Sequence, residues 1–348
     1  MESTAAMELD RRKYQILAAT VRHYVATARP AGSEAIAKRL GGRLSSATIR
    51  TEMSALEEAG YLDQPHTSAG RVPTDRGYRL YVNRLMGRPI VSSRDRARLH
   101  RWAREQTEVE PALDSSCRLL AEMTRYPSLA SAPSWSESRL ARFDLVQVGR
   151  GHVLAVMVSS SGEVRHALIA VRQAPGDQRL RKLAAMLNET LAGHQAGEVD
   201  RESLAAPLAG KCSADLLDQI VRIIEHSRAE GERPRVFIQG TARLFEQCEF
   251  ADLTRVRMLW ALLEQAPAIE RMLPASESSE VAVAIGEENE HPALRECALV
   301  SSSYWLGDER AGSVGILGPK RMHYERSVAA VGSMARALGH ALTRLARA

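Results

Sequence analysis

Hydroxyl side chains and an arginine that could contact nucleic acid are clustered in the first quarter of the chain. They occupy one end of the segment 45–60, SSATIRTEMSALEEAG. Hydroxyls can hydrogen-bond to phosphates or base edges, and a guanidinium can bind the O6 and N7 atoms of guanine. The same side chains on a solvent-exposed helix face would need no ligand. The predicted contact residues of this segment are Ser45, Ser46, Thr48, Arg50 and Thr51.

The segment that follows predicts a hairpin whose tip would meet the same polyanion. A short strand is predicted at 61–64, and the loop 65–74, PHTSAGRVPT, returns into a second short strand. A hairpin that directly follows the helix that contacts DNA is called a wing. Its side chains could donate hydrogen bonds to phosphate, and its glycine permits a close backbone approach. The predicted contact residues are His66, Thr67, Ser68, Gly70 and Arg71.

Three predicted helices must position these residues. Asp10 caps the first, Ser33 a second, and Ser45 a third, which buries Ile49, Met53 and Leu56 at helical spacing. A further helix begins after a cap at Thr74. Three short helices with tight turns are typical of a helix-turn-helix, whose last helix enters the major groove. Residues 1–90 therefore predict a winged helix-turn-helix DNA-binding domain.

Positive charge is concentrated in the same quarter. Residues 1–90 contain 14 Lys and Arg against 9 Asp and Glu, whereas residues 91–348 contain 33 of each. An excess of this sign is expected of the part of a protein that binds a polyanion, although so small an excess is also common in proteins that bind none.

No catalytic or cofactor-binding pattern stands out, so the sequence predicts neither an enzyme nor a bound cofactor or metal. The glycine spacing lacks the dinucleotide pattern, and the serine triplets lack a nucleophile motif. The four cysteines lie far apart without zinc-ligand spacing. The weak candidates are glycines 312, 315 and 318, the acids and histidine at 287–291, the serines at 159–161 and 301–303, and the pair Lys320 and Arg321. Neither a signal peptide nor a membrane span is recognisable, which predicts a cytoplasmic protein without a membrane partner.

The remaining three quarters predict an α+β domain interrupted by an insertion. A helical connector is expected at 91–138, and an antiparallel meander follows from strands at 143–148, 153–158 and 164–171. Helices and further strands then mix without strict alternation, which is typical of the α+β class. The helix-rich stretch 176–240 is the predicted insertion, and a terminal helix begins at Tyr324.

Five segments resemble the heat-inducible transcription repressor family, HrcA. The amino-terminal segments are LSSATIR at 44–50, EMSALEEAGYL at 52–62 and QPHTSAGRVPTDRGYR at 64–79. IGEEN at 285–289 and GILGPKRMHY at 315–324 extend the resemblance over nearly the whole chain. The chain departs from the family pattern at three positions. Thr51 replaces a usual Asn, and Lys320 and His323 replace a common Thr and Asp, which leaves the role of Thr51 open.

The resemblance implies a winged helix joined to a GAF-like regulatory domain, here 139–175 and 241–348, with a dimerisation domain inserted at 176–240. It also implies repression of heat-shock chaperone operons by a homodimer that binds an inverted-repeat operator in double-stranded DNA. The GroE chaperonin would maintain the active form. The alternative is a metabolite-responsive regulator whose GAF-like pocket binds a small ligand.

Overall fold

The fold of the chain is taken from a computed structural model. It describes residues 9–66, 69–135, 138–149, 151–171, 176–191, 193–195, 198–199, 202, 204, 208, 211, 213–231, 235–273 and 280–347.

Residues 9–86 form an N-terminal unit of helices with a small hairpin. Its first elements are α1 (Arg11–Thr27), α2 (Ser33–Arg39), α3 (Ser46–Glu58), β1 (Leu62–Asp63), β2 (Val72–Pro73) and α4 (Asp75–Leu80), followed by a π-helical turn (Tyr81–Leu85). The predicted caps at Asp10, Ser45 and Thr74 are confirmed, since each side chain accepts a backbone N–H three residues on. The predicted cap at Ser33 is wrong, because α2 begins at Ser33 itself and Gly32 occupies the capping position.

Five described helices and a five-stranded antiparallel sheet make up the central unit. The elements are α5 (Ser93–Glu105), α6 (Val109–Thr124), β3 (Ser128–Ser131), β7 (Val236–Gln239), α9 (Leu253–Leu263), α10 (Ala266–Met272), β8 (Ala282–Ile285), β9 (Cys297–Leu306), β10 (Glu309–Pro319) and α11 (Tyr324–Arg347). The strand order is β7-β3-β10-β9-β8. Alternate residues of β9 face opposite sides: Val300 packs towards α6 and α11, whereas Leu299 packs towards α9 and α10. Helices therefore cover both faces of this sheet.

An inserted unit interrupts the central unit between β3 and β7. It contains β4 (Leu140–Gln147), β5 (His152–Ser159), β6 (Val164–Ala170), α7 (Asp177–Leu191) and α8 (Ala214–Gly231). The three strands form an antiparallel sheet of their own, in the order β4-β5-β6. Val153 and Met157 of this sheet are buried in the same core as Leu180 and Leu187 of α7. Together these elements place the insertion at about 138–231.

The grouping of 139–175 with 241–348 that the sequence predicted differs from this arrangement. Strands 140–170 share neither a sheet nor a core cluster with 241–348 among the described residues. The physical reason is that the alternating apolar residues of the meander are covered by α7 and α8, which follow directly in the chain. The coarse prediction of a mixed α+β protein is confirmed.

A continuous core joins the N-terminal unit to the central unit. Ile16, Ile49 and Tyr78 belong to the same buried cluster as Tyr304 and Met334. The two units are therefore packed together and not merely linked. None of the described helices has the length and apolar character needed to cross a membrane.

Candidate nucleic-acid interface

The amino-terminal half of α3 presents a polar, exposed face. Ser45, Arg50 and Thr51 are exposed, while Ser46 and Thr48 are half-buried. Ser45 Oγ accepts a hydrogen bond from Thr48 N and lies 2.8 Å from Thr48 Oγ1, so Ser45 caps the helix and the two hydroxyls are hydrogen-bonded to each other. Thr51 Oγ1 donates to Ala47 O at 3.2 Å. The guanidinium of Arg50 has no hydrogen bond or ion pair to any described residue. Arg50 is therefore the cation of this helix that is available to a ligand.

The predicted contact residue Arg71 is occupied within the protein. Its Nε donates to Glu57 Oε2 at 2.8 Å, and its Nη2 donates to Ser54 Oγ at 3.1 Å. The Arg71 side chain is only 15% exposed. Arg71 thus ties the hairpin to α3, and it neutralises an acid that would otherwise repel a polyanion next to Arg50.

Gly70 brings the hairpin against the turn before α2. The backbones of Ala31 and Arg71 form two hydrogen bonds, from Ala31 N to Arg71 O at 2.8 Å and from Arg71 N to Ala31 O at 3.0 Å. A Cβ at position 70 would lie 2.4 Å from the carbonyl carbon of Ala31. This glycine therefore allows two backbone segments of the same chain to approach each other closely. The sequence pattern did not reveal that contact.

Replacing Gly70 by Ala is expected to destabilise the protein. The added methyl group meets backbone atoms of Ala31 and Gly32, which cannot rotate away as a side chain could. Overpacking of this kind costs about 1–3 kcal/mol of unfolding free energy. Urea unfolding followed by circular dichroism measures it. The control is Gly87→Ala, where the added methyl group has open space; equal losses in the two variants would contradict the close approach.

The hairpin tip is only partly described. His66 is exposed, and its carbonyl accepts a hydrogen bond from Ala69 N at 2.8 Å. Gln64 Nε2 donates to Ala69 O at 3.0 Å and steadies the loop. The predicted contacts Thr67 and Ser68 lie outside the described residues. The tip therefore contributes one predicted polar side chain whose placement is known.

A groove of about 550 Å³ lies between α3, the start of α2 and the hairpin. Its lining brings together Arg50 and Arg71 from the predicted site. It adds polar side chains that the predicted contact residues did not include: Ser33, Glu34, Ser54 and Gln64. Only Ser54 had a sequence signal, because it lies four residues after Arg50 on the same face of α3.

Comparisons with known proteins identify the family. Residues 110–328 match the family model described as the HrcA protein C terminal domain. A protein of Desulforamulus reducens named heat-inducible transcription repressor HrcA is 33% identical over 343 residues, 97% of this chain and 99% of that protein. The chain belongs to the HrcA family. A second HrcA relative, from Moorella thermoacetica, is 34% identical over 352 residues, 98% of this chain and 100% of that protein.

The resemblance extends to a solved structure. A crystal structure described as that of a hypothetical protein is 25% identical, covers 98% of this chain and 100% of that chain, and has a TM-score of 0.62. The full-length HrcA relatives are important here, since the family model begins at residue 110 and leaves out the N-terminal unit. Their alignment over 97% of the chain brings the candidate interface into the family as well.

In this HrcA family member, the two carboxy-terminal segments that carried the resemblance hold α4 against the central unit. Asp75 Oδ1 lies 2.9 Å from Lys320 Nζ, and Asp75 Oδ2 accepts a hydrogen bond from Glu287 N at 3.0 Å. Arg79 Nε donates to Glu288 Oε1 at 2.7 Å. IGEEN and GILGPKRMHY therefore form a docking surface for the N-terminal unit.

Two further contacts extend this docking surface. The ring centroids of Tyr78 and Tyr324 are 5.9 Å apart. The Tyr81 hydroxyl donates to Glu325, and burial together with this hydrogen bond raises the pKa of Tyr81 to about 12. The hydrogen bond to Glu288 raises the pKa of Arg79 above its usual value. Tyr81 therefore stays protonated and Arg79 charged over the physiological pH range.

The same contacts bear on the weak sequence candidates. Lys320 pairs with Asp75 and Glu296, and Arg321 pairs with Glu249, so both cations are already neutralised by protein carboxylates. Glu288 is engaged by Arg79. No group of three potential metal ligands occurs within the described residues. Of the cysteines in that part of the chain, Cys117 and Cys297 are buried and Cys248 is exposed, and all three are free thiols.

Proposed function

We propose that this HrcA family member represses transcription by binding double-stranded DNA through its N-terminal unit, which acts as a winged helix-turn-helix. The observation that carries the proposal is the state of charge on α3. Arg50 is free and exposed, while two of the three acids of α3 are neutralised: Glu57 by Arg71, and Glu52 by Lys13 at 3.2 Å. Such a helix presents one unpaired cation and small hydroxyls to a DNA groove.

The contact residues then divide into two roles. Arg50, with Thr48 or Thr51, carries base choice, because guanidinium and hydroxyl groups can read base edges. Ser45 and Ser46 at the start of the helix, with the hairpin residues at 66–68, bind phosphates and set the register on the duplex. Gly70 and Arg71 hold the hairpin in place beside α3.

The family resemblance supports a homodimer that binds an inverted repeat. Dyad-related recognition helices require an operator with matching two-fold symmetry. The inserted unit offers a surface for the second copy. Its sheet buries one face under α7 and α8, whereas Val146, Val164 and Leu168 of the other face are 51%, 58% and 60% exposed. Exposed apolar side chains that adjoin one another mark an interaction site.

The regulated genes and the chaperonin are proposed from the family alone. The relatives' names describe heat-inducible repressors, and the resemblance implies heat-shock chaperone operons as targets. GroE would increase the fraction of the repressor that is folded. After heating, unfolded proteins would occupy GroE, and less of the repressor would then be active. The central unit would then be the GAF-like regulatory domain.

The test is a salt-varied binding titration of the purified protein with and without GroE. The ligands are a chaperone-operon inverted repeat and a scrambled duplex of equal length. We expect tight binding to the repeat that increases when GroE is added. Equal and weak binding to both duplexes in every condition would contradict the proposal.

Arg50→Ala is expected to relax discrimination at one base position. The loss of a bidentate contact costs about 1–3 kcal/mol of binding free energy on the cognate repeat. The measurement is the ratio of affinities for the cognate repeat and for duplexes substituted at each position in turn. Arg71→Ala is the comparison, since it loses the Glu57 contact and should weaken all duplexes alike. An equal loss on every duplex for Arg50→Ala would assign Arg50 to the phosphate backbone.

A second candidate function is supported by a cavity in the central unit. It has a volume of about 420 Å³, and most of the side chains that line it are apolar. Its polar lining residues include Arg271, Asn289 and His291. Cavities of this size hold small metabolites in other proteins. A metabolite-responsive regulator would show ligand-dependent melting and an operator affinity that changes with the ligand, whereas a repressor without an effector would show neither.

A further inference from the structure

A cleft lined by arginines lies on the N-terminal unit, outside the predicted contact residues. It has a volume of about 440 Å³ and is bounded by α1, the turn between α2 and α3, and the π-helical turn. None of its described lining residues is acidic. The basic side chains that line it are Arg11, Arg22, Arg39, Arg43 and Arg84. The density of positive charge around this cleft is far above the average for residues 1–90.

These cations lack protein partners that would neutralise them. All five arginines are exposed, and Arg22 donates from Nε to the Tyr81 hydroxyl at 3.3 Å, a neutral acceptor. The other four make no ion pair or hydrogen bond with any residue that the structure describes. Like charges around one concave surface repel one another, and a bound polyanion removes that repulsion.

The cleft adjoins the start of the recognition helix. Arg43 and Leu44, which both line the cleft, directly precede the capping residue Ser45. A phosphate bound in the cleft would therefore be close to one bound at the beginning of α3.

The hairpin and the cleft flank α3 on different sides. Side chains on a helix rotate by roughly 100° per residue, so position 57 lies within roughly 20° of Arg50 around α3, whereas position 52 lies roughly 160° away from it. Glu57 binds Arg71 of the hairpin. Glu52 binds Arg12 and Lys13 at the start of α1, beside the cleft residue Arg11. The hairpin thus lies on the Arg50 side of α3, and the start of α1 lies on the other side of that helix.

We propose that this cleft binds backbone phosphates of the duplex, on the side of α3 opposite the hairpin. The inference rests on the proposed DNA-binding function and extends it to a second contact surface. Guanidinium groups suit this role because they bind phosphate oxygens in a bidentate manner and keep their charge at any physiological pH. The contact carries no base choice, so it raises the affinity for every duplex equally.

The test is the salt dependence of binding by the triple variant Arg39→Gln/Arg43→Gln/Arg84→Gln. Each phosphate contact contributes a slope of about 0.9 in the plot of log K against log salt concentration. We expect the variant to have a slope smaller by about 1 or more and an affinity on the order of tenfold weaker for both the inverted repeat and the scrambled duplex. The ratio of the two affinities should stay as in the wild type.

Two further variants keep the result interpretable. Arg181→Gln/Arg257→Gln/Arg295→Gln removes the same charge from exposed positions on α7, on α9 and before β9, and it should leave the slope nearly unchanged. Arg39→Lys/Arg43→Lys/Arg84→Lys keeps the charge and should retain most of the slope even if the Gln variant melts at a lower temperature.

Three outcomes would contradict either the inference about the cleft or the proposed function on which it rests, and they can be told apart. A wild-type slope in a folded triple Gln variant shows that the cleft does not contact DNA. Tripolyphosphate that raises the melting temperature of the wild type but not of the variant, with an unchanged DNA slope, shows that the cleft takes a small polyanion instead. Wild-type protein that binds neither duplex refutes the proposed function itself, whatever the variants do.

Discussion

Replacing Gly286 by Ala is expected to loosen the N-terminal unit from the central unit. Gly286 has a φ of +56°, a backbone conformation that side chains disfavour. A Cβ there would lie 1.8 Å from Asp75 Oδ2, the atom that accepts the hydrogen bond from Glu287 N. The Asp75 carboxylate would have to leave both Glu287 and Lys320. We expect a loss of about 2–4 kcal/mol of unfolding free energy, from backbone strain together with the broken contacts.

Gly307→Ala is the matched control for that experiment. Gly307 also has a positive φ, of +62°, but a Cβ there would meet nothing within 4 Å. It should therefore show the backbone cost alone, on the order of 1 kcal/mol. Urea unfolding gives the free energies, and limited proteolysis of the 87–92 linker reports whether the N-terminal unit is released.

A double-mutant cycle isolates the Asp75 contact. On an Asp75→Ala background the methyl group introduced by Gly286→Ala has no carboxylate to displace, so the cost of Gly286→Ala should fall towards that of Gly307→Ala. If Gly286→Ala costs the same with and without Asp75, and no more than the control, the docking contact is absent in solution.

Leu168→Asp is expected to convert the proposed dimer into a monomer and to weaken operator binding by on the order of 100-fold or more. Leu168 on β6 pairs with Leu154, which pairs in turn with Val146, so the charge enters one end of an apolar row. A buried, unpaired carboxylate at such an interface is strongly unfavourable. Loss of the linked second half-site then removes the gain in affinity that comes from binding two sites at once.

Phe245→Asp provides the comparison for the dimer experiment. Phe245 is 59% exposed, almost the same fraction as Leu168, but it lies in the central unit. Sedimentation equilibrium should give a dimer for the wild type and Phe245→Asp, and a monomer for Leu168→Asp. Binding to a single half-site should be equal in all three. A Leu168→Asp protein that remains dimeric would place the interface elsewhere.

Much of the N-terminal unit was predictable because its signals are local. The caps at Asp10, Ser45 and Thr74 each act on a backbone group three residues away, and the stripe of Ile49, Met53 and Leu56 repeats within one helix. Helix starts and buried faces of this kind depend on neighbours in the sequence and therefore leave a pattern in it. The meander β4–β6 was recognised for the same reason, from alternation over a few residues.

Apart from the misplaced cap at Ser33, the errors and omissions involve partners far apart in the chain. The strand β3, Ser128–Ser131, lies in the segment 91–138 that was predicted as a helical connector, yet it pairs with β7 and β10 inside the five-stranded sheet. The sheet into which a strand is incorporated depends on the backbone groups and apolar surfaces that neighbour it after folding.

The functional side chains also divide into features that the sequence predicted and features that depend on the tertiary fold. The residue types at Arg50 and Arg71 were equally suited to DNA, but Glu57 holds one of them and leaves the other free. Arg79 and its partner Glu288 are 209 residues apart, a separation over which no periodicity carries information. Residue types and local spacing thus established the candidate chemistry of this chain. The fold determines which charges are neutralised and which face outwards, because two opposite charges form an ion pair only when tertiary packing brings them close together.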